Sequence, residues 1–335
     1  MKTYKLAIIG FGNVGQGLTK IISDKKNLLI EKCGINLSIV AVCDLYKGSI
    51  ANPNGLDPNA LLSDLEKHGN LKSTRAPITG WNATETIDNS GADILVELAF
   101  TDLQTGEPAV SHIKQALNNG MHVSMTNKGP VALHFPELRK IALRKNVQIG
   151  IEGTVMSGTP SISLGNEMLL AAGITKVQGI LNGTTNYILG EMSLGTIYED
   201  ALEQAQELGY AEADPTGDVE GYDAAAKVVI LGNLLMDLSL TLDDIDREGI
   251  SHITKNDMTN AKSLNKHWKL IGTVEKHNDG FSASVKPQMV SSEHPLASVK
   301  GATNAITYST ELLGDITLIG PGAGRLETGY AVIED

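Results

Sequence analysis

The stretch "DPTGDVEGYDAAAKVVIL", residues 214–231, reads as a loop running into a helix, and it carries a lysine where an apolar residue is expected. Ile230, Leu231 and Leu234 stand three, four and seven positions beyond Lys227, so at helical spacing this lysine falls on the core-facing stripe. Asp223 lies one turn earlier on the same face, and Glu212, Asp214 and Asp218 precede it. Two readings follow. One is a surface i,i+4 ion pair whose lysine reaches water, contributing about 0.3 to 0.5 kcal/mol. The other is a partly buried, charge-paired ammonium of the kind enzymes use to transfer a proton.

A second constellation lies at the amino end. "LAIIGFGNVGQGL" places Gly10, Gly12 and Gly15 as G-x-G-x-x-G after a strand pattern and at the opening of a helix. Such a turn brings backbone N–H groups, here with Asn13 and Val14, up to a pyrophosphate at the positive helix end. A second strand, "SIVAVCD", ends in Asp44, the place for a carboxylate that accepts from the ribose hydroxyls of NAD and repels the extra phosphate of NADP. Asp44 stands 29 residues beyond Gly15, against roughly 20 in the usual fingerprint, so the first helix and its following loop must be long. Lys47 is close enough to compensate a phosphate. NAD is favoured and NADP stays open.

The elements that must hold these groups follow from apolar runs at Leu6–Ile9, Ile39–Cys43, Ile94–Leu98, His122–Met125 and Val147–Ile149, separated by helix-like stretches. This alternation predicts an α/β fold with a Rossmann-type, doubly wound parallel sheet. Asp57, Pro58 and Gly69 punctuate one connecting helix, and the segment between Leu45 and Asn59 reads as loop. After about residue 150 the pattern turns to capped helices and then to two strand-like runs flanking Asn278-Asp279-Gly280, a hairpin signal. The expected organisation is a dinucleotide-binding domain over 1–150, completed by 320–335, and an α+β catalytic and dimerisation domain with an antiparallel sheet over 151–319.

Composition narrows the class. The chain has 335 residues, enough for two domains, and a formal net charge of −12 with scattered positive charges, which argues against nucleic acid as a partner. Its two cysteines, Cys33 and Cys43, form no metal-ligand pattern and suit a reducing cytoplasm. No apolar run approaches the roughly 18 residues of a membrane span, and "MKTYKLAIIGFGNVG" enters a strand at once, without a leader pattern.

From "GILNGTTNYIL" at 179–189, and from Ala205 to Lys227, the chain resembles the homoserine dehydrogenases. Ala205, Gly209, Tyr210, Ala211, Asp214, Pro215, Asp218, Val219, Gly221, Asp223 and Lys227 all fall at the spacing of that family's signature. "TNKGPVAL" at 126–133 and "GPGAG" at 320–324 match further family blocks in order. The resemblance implies reversible, NAD(P)-linked interconversion of L-homoserine and L-aspartate 4-semialdehyde, on the route to threonine and methionine. It makes Lys227 the acid/base, with Asp223 beside it and Lys128 as a second active-site cation close to cofactor and substrate; which lysine moves the proton stays open, and the stripe argument favours Lys227. Glu212, Asp218 and Asp223 become acceptors for the substrate, with Gly183 and Thr184 facing it, while Thr101, Gly209 and Gly322 join the cofactor side. "EGTVMSGTP" at 152–160 resembles a loop that holds a monovalent cation such as sodium through backbone atoms of Glu152, Val155, Ser157 and Thr159. A homodimer is implied, with "TNAITYST", "DITLIG" and 152–160 as candidate contacts, and no aspartokinase or regulatory module is read in the chain, so threonine control through such a domain is not expected. The competing readings are a Rossmann dehydrogenase of another amino-acid-derived aldehyde or ketone, and a non-catalytic NAD(H) sensor, which would not need Asp223 and Lys227 together.

Overall fold

The computed structural model describes residues 1–72 and 75–335. The chain forms two compact units, Met1–Gly158 with Gly324–Asp335, and Thr159–Ala323. The segment 151–158 goes with the first unit for a packing reason. A Cβ on Gly153 would lie 2.5 Å from Thr126 Cγ2, a Cβ on Gly158 would lie 2.3 Å from the Glu327 carbonyl oxygen, and Ser157 Oγ pairs with Thr328 Oγ1 at 2.8 Å.

The first unit is built on a seven-stranded sheet of β1 (Lys2–Ile9), β2 (Ile35–Asp44), β3 (Gly48–Ala51), β4 (Ile78–Thr79), β5 (Ile94–Glu97), β6 (His122–Met125) and β7 (Ile149–Gly150). Its order is β4-β3-β2-β1-β5-β6-β7, so the chain reverses direction of winding between β1 and β5, where open α/β sheets bind ligands. The five apolar runs mark the five parallel strands; the inner four are largely buried, as strands covered on both faces must be, and β7 at the edge is half-buried. One correction concerns the stretch expected to be loop. Gly48–Ala51 is β3, paired antiparallel to β2 and to β4, which makes the edge of the sheet mixed. Four residues beside a tight turn carry too little periodicity to announce a strand; pairing with β2 supplies the order.

The helix Asn13–Asp24 follows the glycine turn. The extra length before Asp44 is not loop, because helical turns continue through Lys26–Leu28 and Leu29–Cys33 and close on Gly34 in the left-handed region. The helix Pro58–His68 has the expected ends: Asp57 accepts from the Asn59 N–H, and Gly69 at φ 68° terminates it. The chain returns to this unit as the helix Arg325–Glu334, which lies against the first helix closely enough that a Cβ on Gly17 would sit 2.0 Å from the Arg325 carbonyl oxygen.

The second unit holds a six-stranded sheet of β8 (Ile174–Ile180), β9 (Asp246–Arg247), β10 (Lys266–His277), β11 (Gly280–Ser291), β12 (Thr303–Thr310) and β13 (Gly314–Pro321). The order is β13-β12-β8-β10-β11-β9, antiparallel except for β11 with β9. β10 and β11 are the expected hairpin, with His277 opposite Gly280. The helices Gly183–Leu194 and Tyr222–Leu235 pack on β10. Every residue of the latter from Ala224 to Gly232 is buried. A helix apolar all round is a core helix, so the apolar stripe understated its burial: Lys227 is enclosed whichever face it occupies.

Candidate active site

Two clusters gather the residues singled out above, one in each unit. In the first, the glycines act through what they lack. Gly10 has φ 89° and its Cβ would stand 2.4 Å from the Leu98 carbonyl oxygen, and a Cβ on Gly15 would stand 2.8 Å from the Gly10 carbonyl oxygen. Gly12 differs: nothing lies within 4 Å of where its Cβ would be, and it caps the helix Asn13–Asp24 with no side-chain hydrogen bond. Open space over uncapped helical N–H groups of Asn13, Val14 and Gly15 fits a pyrophosphate.

Asp44, at the end of β2, accepts from the Phe11 N–H at 2.7 Å and from the Tyr46 and Lys47 N–H groups at 2.9 Å each, with Lys47 Nζ 3.8 Å away. Burial pushes its carboxyl upward, but the three backbone donors and Lys47 outweigh that and hold it below the ordinary aspartate value. This carboxylate therefore ties the second strand to the glycine turn.

A second turn of the first unit places Thr101, exposed, and Lys128, the first residue of the helix Lys128–Lys145. The buried Asn127 organises both: its Oδ1 accepts from the Gly129 N–H at 3.1 Å and its Nδ2 donates to the Phe100 and Ala99 carbonyl oxygens at 2.8 and 3.3 Å. Of the cation-loop residues, Glu152, Val155 and Ser157 end the first unit, where the Glu152 N–H donates to Asp335, and Thr159 opens the second, where its hydroxyl donates to the Pro321 carbonyl oxygen at 2.9 Å.

The second unit brings together Asp218, Asp223, Lys227 and Thr184. Lys227 is 6% exposed. Its Nζ donates to Asp223 Oδ2 at 2.8 Å and to the Leu181 carbonyl oxygen at 2.6 Å. Two of three ammonium hydrogens are thus used, and the third has no acceptor among the described residues. Glycine makes this approach feasible, since a Cβ on Gly272 of β10 would press on Leu181 and Val228 at 2.8 Å each. Buried on a helix and paired, Lys227 is not the solvent-reaching surface pair. Asp218 sits on the short turn Thr216–Val219. Burial raises its carboxyl above the ordinary value, the neighbouring Asp223 raises it further, and the hydrogen bond from Asn182 with the charge of Lys227 opposes the rise.

Thr184 Oγ1 donates to the Tyr210 carbonyl oxygen at 2.6 Å, and the Tyr210 ring meets Tyr187 edge-on at 5.2 Å, which fixes the loop holding Gly209 at φ 74°. Gly183 starts its helix where a Cβ would strike the Ala302 carbonyl oxygen at 2.4 Å, and Gly322 lies against the Asn304 amide, which a Cβ there would approach to 2.1 Å. Glu212 is not in the cluster: its side chain is exposed, and its carbonyl oxygen accepts from Gln206 Nε2 at 3.0 Å. Asp214 serves the turn by accepting from the Thr216 N–H. Sequence reasoning gave no site role to Asn182, Asn127 or the Leu181 carbonyl, and met Tyr210 only as a signature position. Buried asparagines after strands are the signal that was available for the first two.

Comparison with known proteins bears on both clusters. The family model "Homoserine dehydrogenase, NAD binding domain" matches residues 10–152, and the model "Homoserine dehydrogenase" matches 160–335. The chain is 45% identical to the NAD(+)-dependent homoserine dehydrogenase of Pseudomonas canavaninivorans over 100% of this chain and 96% of that protein. It is 38% identical to the homoserine dehydrogenase of Methanocaldococcus jannaschii over 98% and 96% of the two chains. Among solved structures, a hyperthermophilic archaeal homoserine dehydrogenase in complex with NADPH superposes with a TM-score of 0.85 at 32% identity, covering 100% of this chain and 96% of that one.

Proposed function

The chain belongs to the homoserine dehydrogenase family and is an NAD(P)-dependent oxidoreductase, and from that premise we propose that it interconverts L-aspartate 4-semialdehyde and L-homoserine with Lys227 as the proton carrier. The observation that carries the role of Lys227 is its enclosure: a buried ammonium, oriented by Asp223 and the Leu181 carbonyl, with one N–H left over.

The nicotinamide cofactor, when bound, supplies or accepts the hydride. The turn at Gly10, Gly12 and Gly15 with the N–H groups of Asn13 and Val14 holds its pyrophosphate, and Asp44 takes the ribose hydroxyls. An aldehyde oxygen that gains a hydride becomes an alkoxide, and the spare N–H of Lys227 donates to it; in oxidation the lysine takes the hydroxyl proton back. Asp218 and Asp223 accept from the substrate ammonium, and Thr184 and Gly183 line their side of the site. Lys128, at the carboxyl end of β6, adds positive charge on the cofactor side. Asp44 supports a preference for NAD, since its charge opposes a 2′-phosphate, and Lys47 at 3.8 Å moderates that preference.

A homodimer is the proposed assembly. β13 is an edge strand with Ile319 half exposed, and an unpaired apolar edge is suited to pairing with a second copy, whereas β12 is interior to the sheet and offers no edge. No described helix is long and apolar enough to cross a membrane. Both cysteines are free, which fits a reducing cytoplasm.

The test is the initial rate of nicotinamide absorbance change with aspartate semialdehyde and NADH or NADPH, for the wild type and Lys227→Ala. Turnover that collapses in the variant while NADH still binds is the expected result. A wild type that binds NADH without turning over this aldehyde would move the reading to another substrate.

A further inference from the structure

The turn between β8 and the helix Gly183–Leu194 carries a side chain that the mechanism above does not use. Asn182 is 5% exposed and caps that helix, its Oδ1 accepting from the Thr185 N–H at 2.9 Å and from Thr185 Oγ1 at 3.0 Å. The Thr185 N–H, which can only donate, identifies the oxygen end of the amide, so the nitrogen end is fixed on the opposite side. There its two hydrogens go to two different carboxylates: Asp218 Oδ1 at 2.6 Å and Asp223 Oδ2 at 3.1 Å. The acceptors belong to separate segments, the turn Thr216–Val219 and the helix Tyr222–Leu235. One amide thus joins the helix cap, both carboxylates and, through Asp223, the ammonium of Lys227.

Two half-buried carboxylates and one buried ammonium leave the cluster one negative charge in excess, and the two carboxylates repel. A neutral group that donates to both, without adding charge, is what such an arrangement requires; an aspartate, with acceptors only, would add a third repelling charge. We propose that Asn182 is a positioning residue for the reaction: its amide clamps Asp218 and Asp223 in their ionised, substrate-accepting form, and by fixing Asp223 it aims the Lys227 ammonium. The inference rests on the proposed homoserine reaction. Burial and Asp223 already raise the Asp218 carboxyl while Asn182 opposes them, so loss of the amide would raise it further, with Asp223 and Lys227 the charges facing it.

Capping and clamping are separable by one substitution. Serine is as good a helix cap as asparagine but has no second pair of hydrogens to offer the carboxylates. For Asn182→Ser the expected result is a melting temperature near that of the wild type and an unchanged KM for NAD. With it goes a fall of about 10- to 100-fold in kcat/KM for homoserine, the loss of hydrogen bonds to charged groups. The acidic limb of the pH–rate profile should also move to higher pH. Asn182→Asp should lose more, and restoring the amide with Gln should recover none of the cap and part of the pH profile. A wild-type kcat/KM and an unmoved acidic limb in Asn182→Ser would overturn the proposal, as would a loss confined to melting temperature. Should the serine variant fail to fold, Asn182→Thr, which also caps but has no amide hydrogens for the carboxylates, is read the same way: a lower kcat/KM for homoserine with the acidic limb moved to higher pH supports the clamp, and wild-type values for both refute it. A wild type inactive toward homoserine would instead sink the reaction and this inference together.

Discussion

The glycine turn of the first unit and the carboxylate cluster of the second make their sites from opposite materials. The turn uses backbone, and its side chains matter by absence: Gly10 and Gly15 have no room for a Cβ, whereas a Cβ on Gly12 would meet nothing within 4 Å. The cluster uses side chains, and matters by balance: the half-buried Asp218 and Asp223 meet the buried Lys227 and are linked through Asn182. A backbone site is robust to charge and intolerant of a methyl group. A charge site tolerates shape and is intolerant of a lost partner.

The sharpest break in this comparison is Lys227→Ala, which should cut kcat by about 100- to 10,000-fold, the worth of a positioned acid or base. Its affinity for NADH, measured by fluorescence titration, should stay at the wild-type value, because the turn lies in the other unit. Methionine at the same position, which fills the space, separates lost chemistry from a lost core contact in a thermal melt.

Next come two methyl groups placed two residues apart. Gly10→Ala forces a side chain onto φ 89° and into the Leu98 carbonyl, and should lower stability by about 2 to 6 kcal/mol in urea unfolding. Gly12→Ala meets nothing and should change stability by less than about 0.5 kcal/mol. It should nonetheless weaken NADH binding, because the methyl takes the space expected for the pyrophosphate. Equal stability losses in the two variants would erase the distinction between a glycine needed by the fold and one needed by the ligand.

The first unit also offers a control in Asp335, a carboxyl held above its ordinary value. Asp335 accepts from Ser124 Oγ at 2.7 Å and from the Glu152 N–H at 3.0 Å, yet burial, helped by Glu152, raises its carboxyl to about 6. Its folded value lies above the unfolded 3.8, so the folded state holds the proton longer. Stability from this group is present below pH 3.8 and is lost as pH rises through about 6. Asp335→Asn should flatten that part of the stability–pH curve, read by denaturant unfolding at pH 4 and pH 7. An unchanged curve would deny the buried charge its cost.

The smallest expected effect is on cofactor choice. Asp44→Asn removes the charge that opposes a 2′-phosphate while keeping an amide oxygen for the Phe11 N–H, and should shift the ratio of kcat/KM values for NADPH over NADH by about tenfold. A ratio that does not move would leave Asp44 as a tie between strand and turn only.

Much of this was legible beforehand, and for identifiable reasons. The inner parallel strands show as apolar runs because both faces of each are covered, and the helix Pro58–His68 shows because Asp57, Pro58 and Gly69 are local signals. β3 and β4 did not show, since edge strands of four and two residues depend on a neighbour for their pairing. Lys227 was singled out from spacing, but spacing gave the wrong measure of its burial: it assumed one greasy face where the helix is enclosed on all sides. Glu212 matched a substrate residue of the family by resemblance and yet lies exposed on its loop, outside the cluster.

What the sequence by itself determined is what local geometry and short repeats encode: the glycine turn, the strand and helix alternation, the caps, and the presence of one lysine and its carboxylates on neighbouring turns. Only the tertiary structure decided who touches whom across the chain. Asn182 reaches Asp218 and Asp223 over 36 and 41 residues, and the Leu181 carbonyl reaches Lys227 over 46. Those contacts exist because β8 and the helix Tyr222–Leu235 both pack against β10, a juxtaposition set by burial of apolar surface along the whole sheet, which no short stretch of sequence contains.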